Sequence, residues 1–287
     1  MPRRLWPLLI VAISVVFLVA SCAPPVSQST QAYNDAKNNL KFSDFDGALN
    51  NLDKAIKSAK DDASRQEALV LRTALVTALA DANRQMAEAY NTGAQQPDAK
   101  GHTGPFYKTR SDYYSAASTF LMQAMQAVMD QRSKLGDKPM PLEVALPAFT
   151  ATNAGMENVK KGKLISDSDR LNAELQQDRN CIAATLSAIA GAGPDPNKGM
   201  VAYNAGKVDI DPRVYIVEMT DSFLQIGAMF EANGMNQLDR WHTVNQVVRA
   251  NLNIATKLLA AKPDATLDAR VKKMQADNDK TLKKFGE

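Results

Sequence analysis

The sequence is poor in cysteine, histidine, glycine, proline and aromatic residues. Its 287 residues include 2 cysteines, 2 histidines, 14 glycines and 13 prolines, and 6% are aromatic. Two cysteines are too few for a fold held by several disulfides, and the low glycine and proline content excludes a collagen-like or low-complexity chain. The remainder is a globular mixture, 45% hydrophobic and 23% charged, with abundant alanine. This composition excludes a disordered chain and favours helices.

Neither sign of charge dominates the chain. The 34 Lys and Arg residues are interspersed with 31 Asp and Glu residues, which leaves a net charge of +3. A nucleic-acid-binding protein normally clusters its basic residues on one face. We therefore predict no nucleic-acid partner.

The sequence also lacks the common motifs of catalysis, metal binding and cofactor binding. His102 and His242 are far apart, and no H-E-x-x-H, C-x-x-C, G-x-S-x-G, P-loop or dinucleotide-binding pattern occurs. The acidic pairs at 61–62 and at Asp167 and Asp169 fall where helices are expected to begin, so helix capping explains them better than acid–base catalysis. We predict a non-catalytic protein without a metal or a cofactor.

The first 21 residues have the pattern of an export signal. Arg3 and Arg4 precede an uncharged run of 16 residues, Leu5 to Ala20. A helix of that length rises about 24 Å, which is shorter than the roughly 30 Å hydrocarbon core of a bilayer. The pattern predicts a signal peptide over 1–21. A signal cleaved elsewhere and an uncleaved anchor are the alternatives.

The end of this run, Val19-Ala20-Ser21-Cys22, resembles the lipobox of bacterial lipoproteins. The resemblance implies that Cys22 becomes the lipid-carrying N-terminus and that the lipid holds the protein to a membrane. Because Ala23, and not Asp, follows the cysteine, it further implies the outer membrane, with the protein facing the periplasm. The polar, proline-containing residues 22–30 are expected to form a flexible tether.

The second cysteine, Cys181, lies within a helical pattern. If Cys22 carries a lipid, Cys181 has no disulfide partner. A small buried apolar residue is the favoured interpretation, and a reactive thiol is the alternative.

Helical periodicity dominates the rest of the chain. Apolar stripes at helical spacing run through 45–59, 71–89, 113–128, 171–189, 216–230, 241–259 and 267–274. They predict an all-α fold of seven to nine helices arranged as antiparallel hairpins, either an α-solenoid or a helical bundle. We divide it into hairpins over 31–92 and a helical domain over 106–287 that packs on or continues the first.

Local signals mark several helix ends. Ser64 and Glu67 form a possible capping box, the Gly/Pro-containing stretch 91–105 predicts a loop, and Ser166 or Asp167 is expected to cap a helix. Asp211 before Pro212 predicts another helix start. Residues 137–164 are ambiguous, because Leu142, Val144 and Leu146 alternate as in a strand, but the segment as a whole favours helix and loop.

Residues 30–60 resemble one tetratricopeptide repeat. The matching positions are Ala36, Phe45, Ala48, Leu52 and Ala55, and a shift of 34 residues gives Leu79, Ala82, Met86 and Ala89 in the same order. A helix hairpin without repeat ancestry is the alternative.

The tetratricopeptide resemblance also implies a binding face. It places Tyr33, Lys37 and Lys41 on the concave side of the first helix, where such repeats meet an extended peptide or a carboxylate. A solvated polar stripe is the alternative to this partner-binding face.

Together these features predict a lipid-anchored helical protein that acts by protein–protein contact, as a scaffold in envelope assembly or as a transport accessory. One alternative is a lipoprotein that binds a small apolar molecule beside a periplasmic solute transporter, using an interior lined by methionines and aromatic residues. A third possibility is an envelope hydrolase, for which we expect a cleft with converging titratable groups.

Overall fold

A computed structural model describes residues 27–146, 152–231 and 237–287. These ranges contain ten α-helices: α1 (Gln28–Lys41), α2 (Phe45–Ser58), α3 (Asp62–Ala94), α4 (Thr103–Arg132), α5 (Ala154–Lys160), α6 (Asp167–Ile189), α7 (Pro196–Asn204), α8 (Pro212–Gly227), α9 (Leu238–Ala261) and α10 (Ala265–Lys283). The predicted all-α class is confirmed. The predicted seven to nine helices are too few, because the short α5 and α7 are too brief to show a stripe. The signal peptide, Cys22 and most of the tether lie outside the described residues, and α1 already begins at Gln28.

Side-chain caps decide where most of the helices begin. Ser166 caps α6 by accepting the amide of Asp169 at 3.1 Å, and Asp211 caps α8 with Pro212 in its first turn, both as predicted. The prediction that Ser64 caps a helix is wrong. Asp61 accepts the Ser64 amide at 2.8 Å, so α3 starts one turn earlier. The carboxylate of Asp61 satisfies the free amides that the Ser64 hydroxyl was expected to satisfy.

The longest helix, α3, is central to the packing. Its 33 residues extend about 50 Å, and α2, α4, α5, α6 and α8 all pack against it. Alanines let these neighbours approach closely, and Ala74, Ala78 and Ala82 are fully buried. Helix α4 packs against α3 along most of its length. The boundary that we drew between hairpins over 31–92 and a helical domain over 106–287 therefore lies inside the α3–α4 hairpin.

The predicted loop over 91–105 is shorter than expected. Helix α3 continues to Ala94, and a 3₁₀ turn over Pro97–Ala99 leads to α4. Gly93 does not break the helix but allows close packing, because a Cβ there would lie 2.1 Å from the carbonyl oxygen of Val159 in α5. Local sequence cannot distinguish these two uses of glycine.

One small antiparallel sheet joins distant parts of the chain. Strand β1 (Met140–Leu142) pairs with β2 (Val208–Ile210), with Leu142 opposite Val208. The preference for helix and loop over 137–164 is therefore wrong for β1 and right for α5. Of the alternating residues Leu142, Val144 and Leu146, only Leu142 lies in β1, and the partner strand lies too far along the chain to be recognised locally.

The last three helices form a layer that rests on the α3–α4 hairpin through α8. Phe223, Val244, Val248 and Val271 are buried between α8, α9 and α10. Helix α8 ends at Gly227 and is followed by a 3₁₀ turn over Ala228–Phe230. The helix is therefore shorter than the apolar stripe over 216–230 predicted. No helix in the described ranges is both long and apolar enough to cross a bilayer.

Candidate binding groove

A groove runs between α4 and α6, with α3 as its floor. It consists of three adjoining cavities with volumes of about 640, 260 and 250 Å³. The outer cavity is lined by Gly104, Pro105, Lys108, Thr109, Asp112, Tyr113, Asp167 and Arg170. The two inner cavities, together called the inner groove, are lined by Ser43, Asp44, Phe45, Asp46, Leu79, Ala82, Asn83, Met86, Asp112, Tyr113, Ala116, Phe120, Glu174 and Asp178. We call the whole the α4–α6 groove.

Helical spacing aligns the groove walls. Arg170, Glu174 and Asp178 follow one another at intervals of four residues on α6, which places them along a single helix face. On α4 the lining runs from Gly104 to Phe120, a rise of about 24 Å. The groove is therefore long and narrow and follows the helix axes.

The turn between α1 and α2 closes the inner end of the groove. Arg179 of α6 donates from Nε to the Ser43 hydroxyl at 2.8 Å, and Asn39 donates to the Asp44 carboxylate at 2.8 Å. Ser43 has a φ of 61°, the left-handed conformation that non-glycine residues rarely adopt. These bonds hold the strained turn against α6.

The inner groove carries an excess of negative charge. Its lining contains five carboxylates and no Lys or Arg, and among them Glu174 is paired with Arg170 of the outer cavity. The carboxylates of Asp46, Asp112 and Asp178 form no hydrogen bond or ion pair with any residue that the structure describes. Burial of the half-buried Asp178 carboxyl, followed by repulsion from Glu174 and Asp46, raises its pKa to about 7.

Glu174, another of the five carboxylates, accepts hydrogen bonds from two sides. The Tyr113 hydroxyl donates to it across the groove, and Arg170 donates to it at 3.1 Å. Burial and then Glu174 raise the pKa of Tyr113, so this phenol remains a donor at neutral pH. Tyr113, Glu174 and Asp178 thus converge, although they are far apart in sequence and no motif predicted their meeting.

A second polar cluster lies on the α3-facing side of α6. Gln177 donates to Gln85 at 2.8 Å, and Gln85 donates to Asp81 at 2.8 Å. Cys181 is 4% exposed, as predicted for a buried residue, and its thiol lies 3.8 Å from Asp81. Burial, and then Asp81, raise the pKa of the Cys181 thiol well above its ordinary value. In this α3–α6 cluster Gln177 and Cys181 are buried, Asp81 is 28% exposed, and the polar groups bond to one another, unlike those of the groove.

The predicted partner-binding face is not an open surface. Tyr33 is only 9% exposed, and burial followed by Glu67 raises its pKa. The Lys37 ammonium lies 5.2 Å from the Tyr33 ring centre and 3.7 Å from the Glu143 carboxylate, while Lys41 is exposed. The chain itself therefore supplies a carboxylate where the tetratricopeptide resemblance implies one from a partner. A binding role for these three residues stays a prediction.

A separate cavity of about 830 Å³ lies at the other end of the α3–α4 hairpin. Apolar residues on its wall include Ile56, Leu69, Leu135 and Met140. The charged residues around it are mixed, and Lys134 lies 3.8 Å from Asp62. Its size is within the range of small-molecule sites.

No protein-family model matches the chain, and no curated protein or solved structure is significantly similar to it. Among the described residues, no three His, Cys, Asp or Glu side chains are grouped so as to hold a metal ion.

Proposed function

We propose that this protein is a lipid-anchored, non-catalytic component of the bacterial cell envelope that binds a partner protein in the α4–α6 groove. The observation that carries the proposal is the groove itself, about 24 Å long, with Asp46, Asp112 and Asp178 unpaired along it. The membrane attachment rests on Cys22 and the lipobox-like residues before it.

The position of α1 supports a scaffold. The Ser29 hydroxyl donates to the Ala55 carbonyl at 2.9 Å, so the start of α1 lies beside the end of α2. The α1–α2 turn at the inner groove is one helix away, about 21 Å. A lipid attached at Cys22 would therefore hold the chain by the end that is remote from the groove, which leaves the groove free for a partner.

The anchor is tested by fractionating cells that express the full chain, followed by mass spectrometry of its N-terminus. We expect wild type and the control Cys181→Ala in the outer-membrane fraction with an acylated Cys22, and Cys22→Ala without the lipid. An unmodified wild-type Cys22 thiol contradicts the anchor.

The partner site is tested with a photo-crosslinking amino acid at position 109, where the uncharged Thr109 lines the groove, and at the exposed position 273 on α10 as a control. We expect a defined adduct from 109, lost when Asp178→Asn is added, and none from 273. Equal adducts from both positions contradict a groove-specific partner.

A hydrolase is a second candidate, favoured by the convergence of Tyr113, Glu174 and Asp178. A carboxyl group with a pKa of about 7 can exchange a proton at neutral pH, as a general acid or base must. Turnover of purified peptidoglycan or of a chromogenic ester that disappears in Asp178→Asn would establish it.

The apolar-ligand alternative is supported by the 830 Å³ cavity and not by the groove. A fatty acid that binds there should raise the melting temperature of the wild type but not of Leu69→Asp.

A further inference from the structure

We propose that the occupant of the α4–α6 groove is a cationic helix of the partner protein. This inference rests on the proposed function, because it specifies the chemistry of the partner that the groove binds. A small organic cation is the competing occupant, and the experiment below separates the two.

Charge complementarity identifies the partner as cationic. The lining of the whole groove carries six carboxylates against two cations, Lys108 and Arg170, and Arg170 is already bonded to Glu174 and Asp167. Asp112 and Asp46 approach the groove from α4 and from α2, so a positive group placed there would meet carboxylates from several sides. Lys or Arg side chains would neutralise this potential and be steered towards it.

The shape of the groove identifies the partner segment as a helix. On the wall of the groove, the small side chain of Ala116 leaves room for another backbone to approach. Glu174 and Asp178 are about 6 Å apart along the α6 axis, which equals the rise between positions i and i+4 of a helix lying parallel to it. A segment of about 16 residues would span the groove.

The rim at the inner end offers an apolar contact. Phe42 lies next to the lining residue Ser43 and is 78% exposed. No other large hydrophobic residue in the described ranges is as exposed. A helix with basic residues on one side and an apolar residue near its end would cover the ring. An amphipathic basic helix is thus the segment that fits both features.

Binding should be coupled to a proton on Asp178. The charged and titratable groups around this carboxyl are Glu174 on its own helix, Asp44 and Asp46 at the start of α2, Asp112 and Tyr113 on α4, and Arg179, which is bonded to Ser43. A cation from the partner would stabilise the ionised form, so binding releases a proton and strengthens as the pH rises through 7. The affinity should increase about fivefold between pH 6 and pH 8.

The test measures binding of synthetic 16-residue helical peptides to the full chain by fluorescence anisotropy. One peptide carries Lys at positions i, i+4 and i+7 with a single Phe, and its matched control carries Glu at the same positions. We expect binding of the Lys peptide, at least tenfold weaker in 300 mM than in 50 mM salt, and none of the Glu peptide. Asp112→Asn with Asp178→Asn should weaken binding at least tenfold. The control Asp277→Asn with Asp279→Asn, which removes the same charge from α10, should not weaken it.

Equal binding of the two peptides, or equal losses in the two double variants, would overturn the proposal. Spermine that binds as tightly as the Lys peptide, with the same dependence on Asp112 and Asp178, would assign the groove to a small cation and also overturn it. If the Lys peptide fails but position 109 still crosslinks a partner, only the cationic helix is wrong. If both fail, the proposed function is wrong as well.

Discussion

Two polar clusters on the same helix differ in how their groups are satisfied. Gln177 and Cys181 of α6 face α3, where they bond to Gln85 and Asp81. One residue away from Gln177, the partly buried Asp178 carboxyl faces the groove without a bonded partner in the described residues and is repelled by its neighbours. A fold usually satisfies the polar groups that it buries, and this exception at Asp178 is why we propose a role for the groove outside the fold.

The largest loss of stability should come from Asp81→Leu, which breaks the α3–α6 cluster. This change removes the acceptor of Arg84, at 2.7 Å, of Gln85 and of Cys181, and it leaves the mostly buried Arg84 guanidinium with Glu88 as its one remaining carboxylate in the described residues. We expect the free energy of unfolding, measured in urea, to fall by about 3 kcal/mol. Asp112→Leu in the groove is the control, with an expected change within about 0.5 kcal/mol. Equal losses in the two variants would show that the clusters do not differ.

A change of the opposite sign is expected for Asp178→Asn. Because the folded-state pKa of Asp178 is raised to about 7, folding retains a proton that the unfolded chain releases above its ordinary pKa of 3.8. The wild type therefore loses stability as the pH rises from about 4 to about 7, and the asparagine variant does not. We expect the variant's advantage to grow by about 3 kcal/mol between pH 4.5 and pH 8. An advantage that does not change with pH would contradict the strained carboxyl.

A smaller loss is expected for Cys181→Ala, about 1 kcal/mol, because the buried sulfur fills space and donates to Asp81. In a Cys22→Ala background, the Cys181 thiol should react with Ellman's reagent only as fast as the protein unfolds. Rapid labelling of the folded protein would show that the Cys181 thiol is accessible to solvent.

The smallest effect is expected for Tyr113→Phe, about 0.5 kcal/mol. The variant loses the bond to Glu174, but this carboxylate retains Arg170 and contact with water. A loss above 2 kcal/mol, measured by thermal unfolding, would mean that Tyr113 belongs to the structural cluster and not to the groove.

Local interactions account for what could be predicted. The caps at Ser166 and Asp211, the buried Cys181 and the all-α class follow from the spacing of residues within a few turns of one helix. The errors occur where a distant segment intervenes. Gly93 continues its helix because α5 packs on it, and β1 exists because β2 reaches it.

The groove is one of the features that contacts between distant segments decide. Asp46, Asp112 and Asp178 each look like ordinary surface acids in sequence, and only the packing of α4 and α6 on α3 places them around one space. The prediction of export and of a lipid on Cys22 depends on the sequence alone, because signals of this type are recognised before folding, and it stays a prediction. The helix class and helix starts were likewise determined by short-range periodicity and capping, whereas the meeting of three distant carboxylates was decided by tertiary structure, since no local pattern encodes contacts between separate helices.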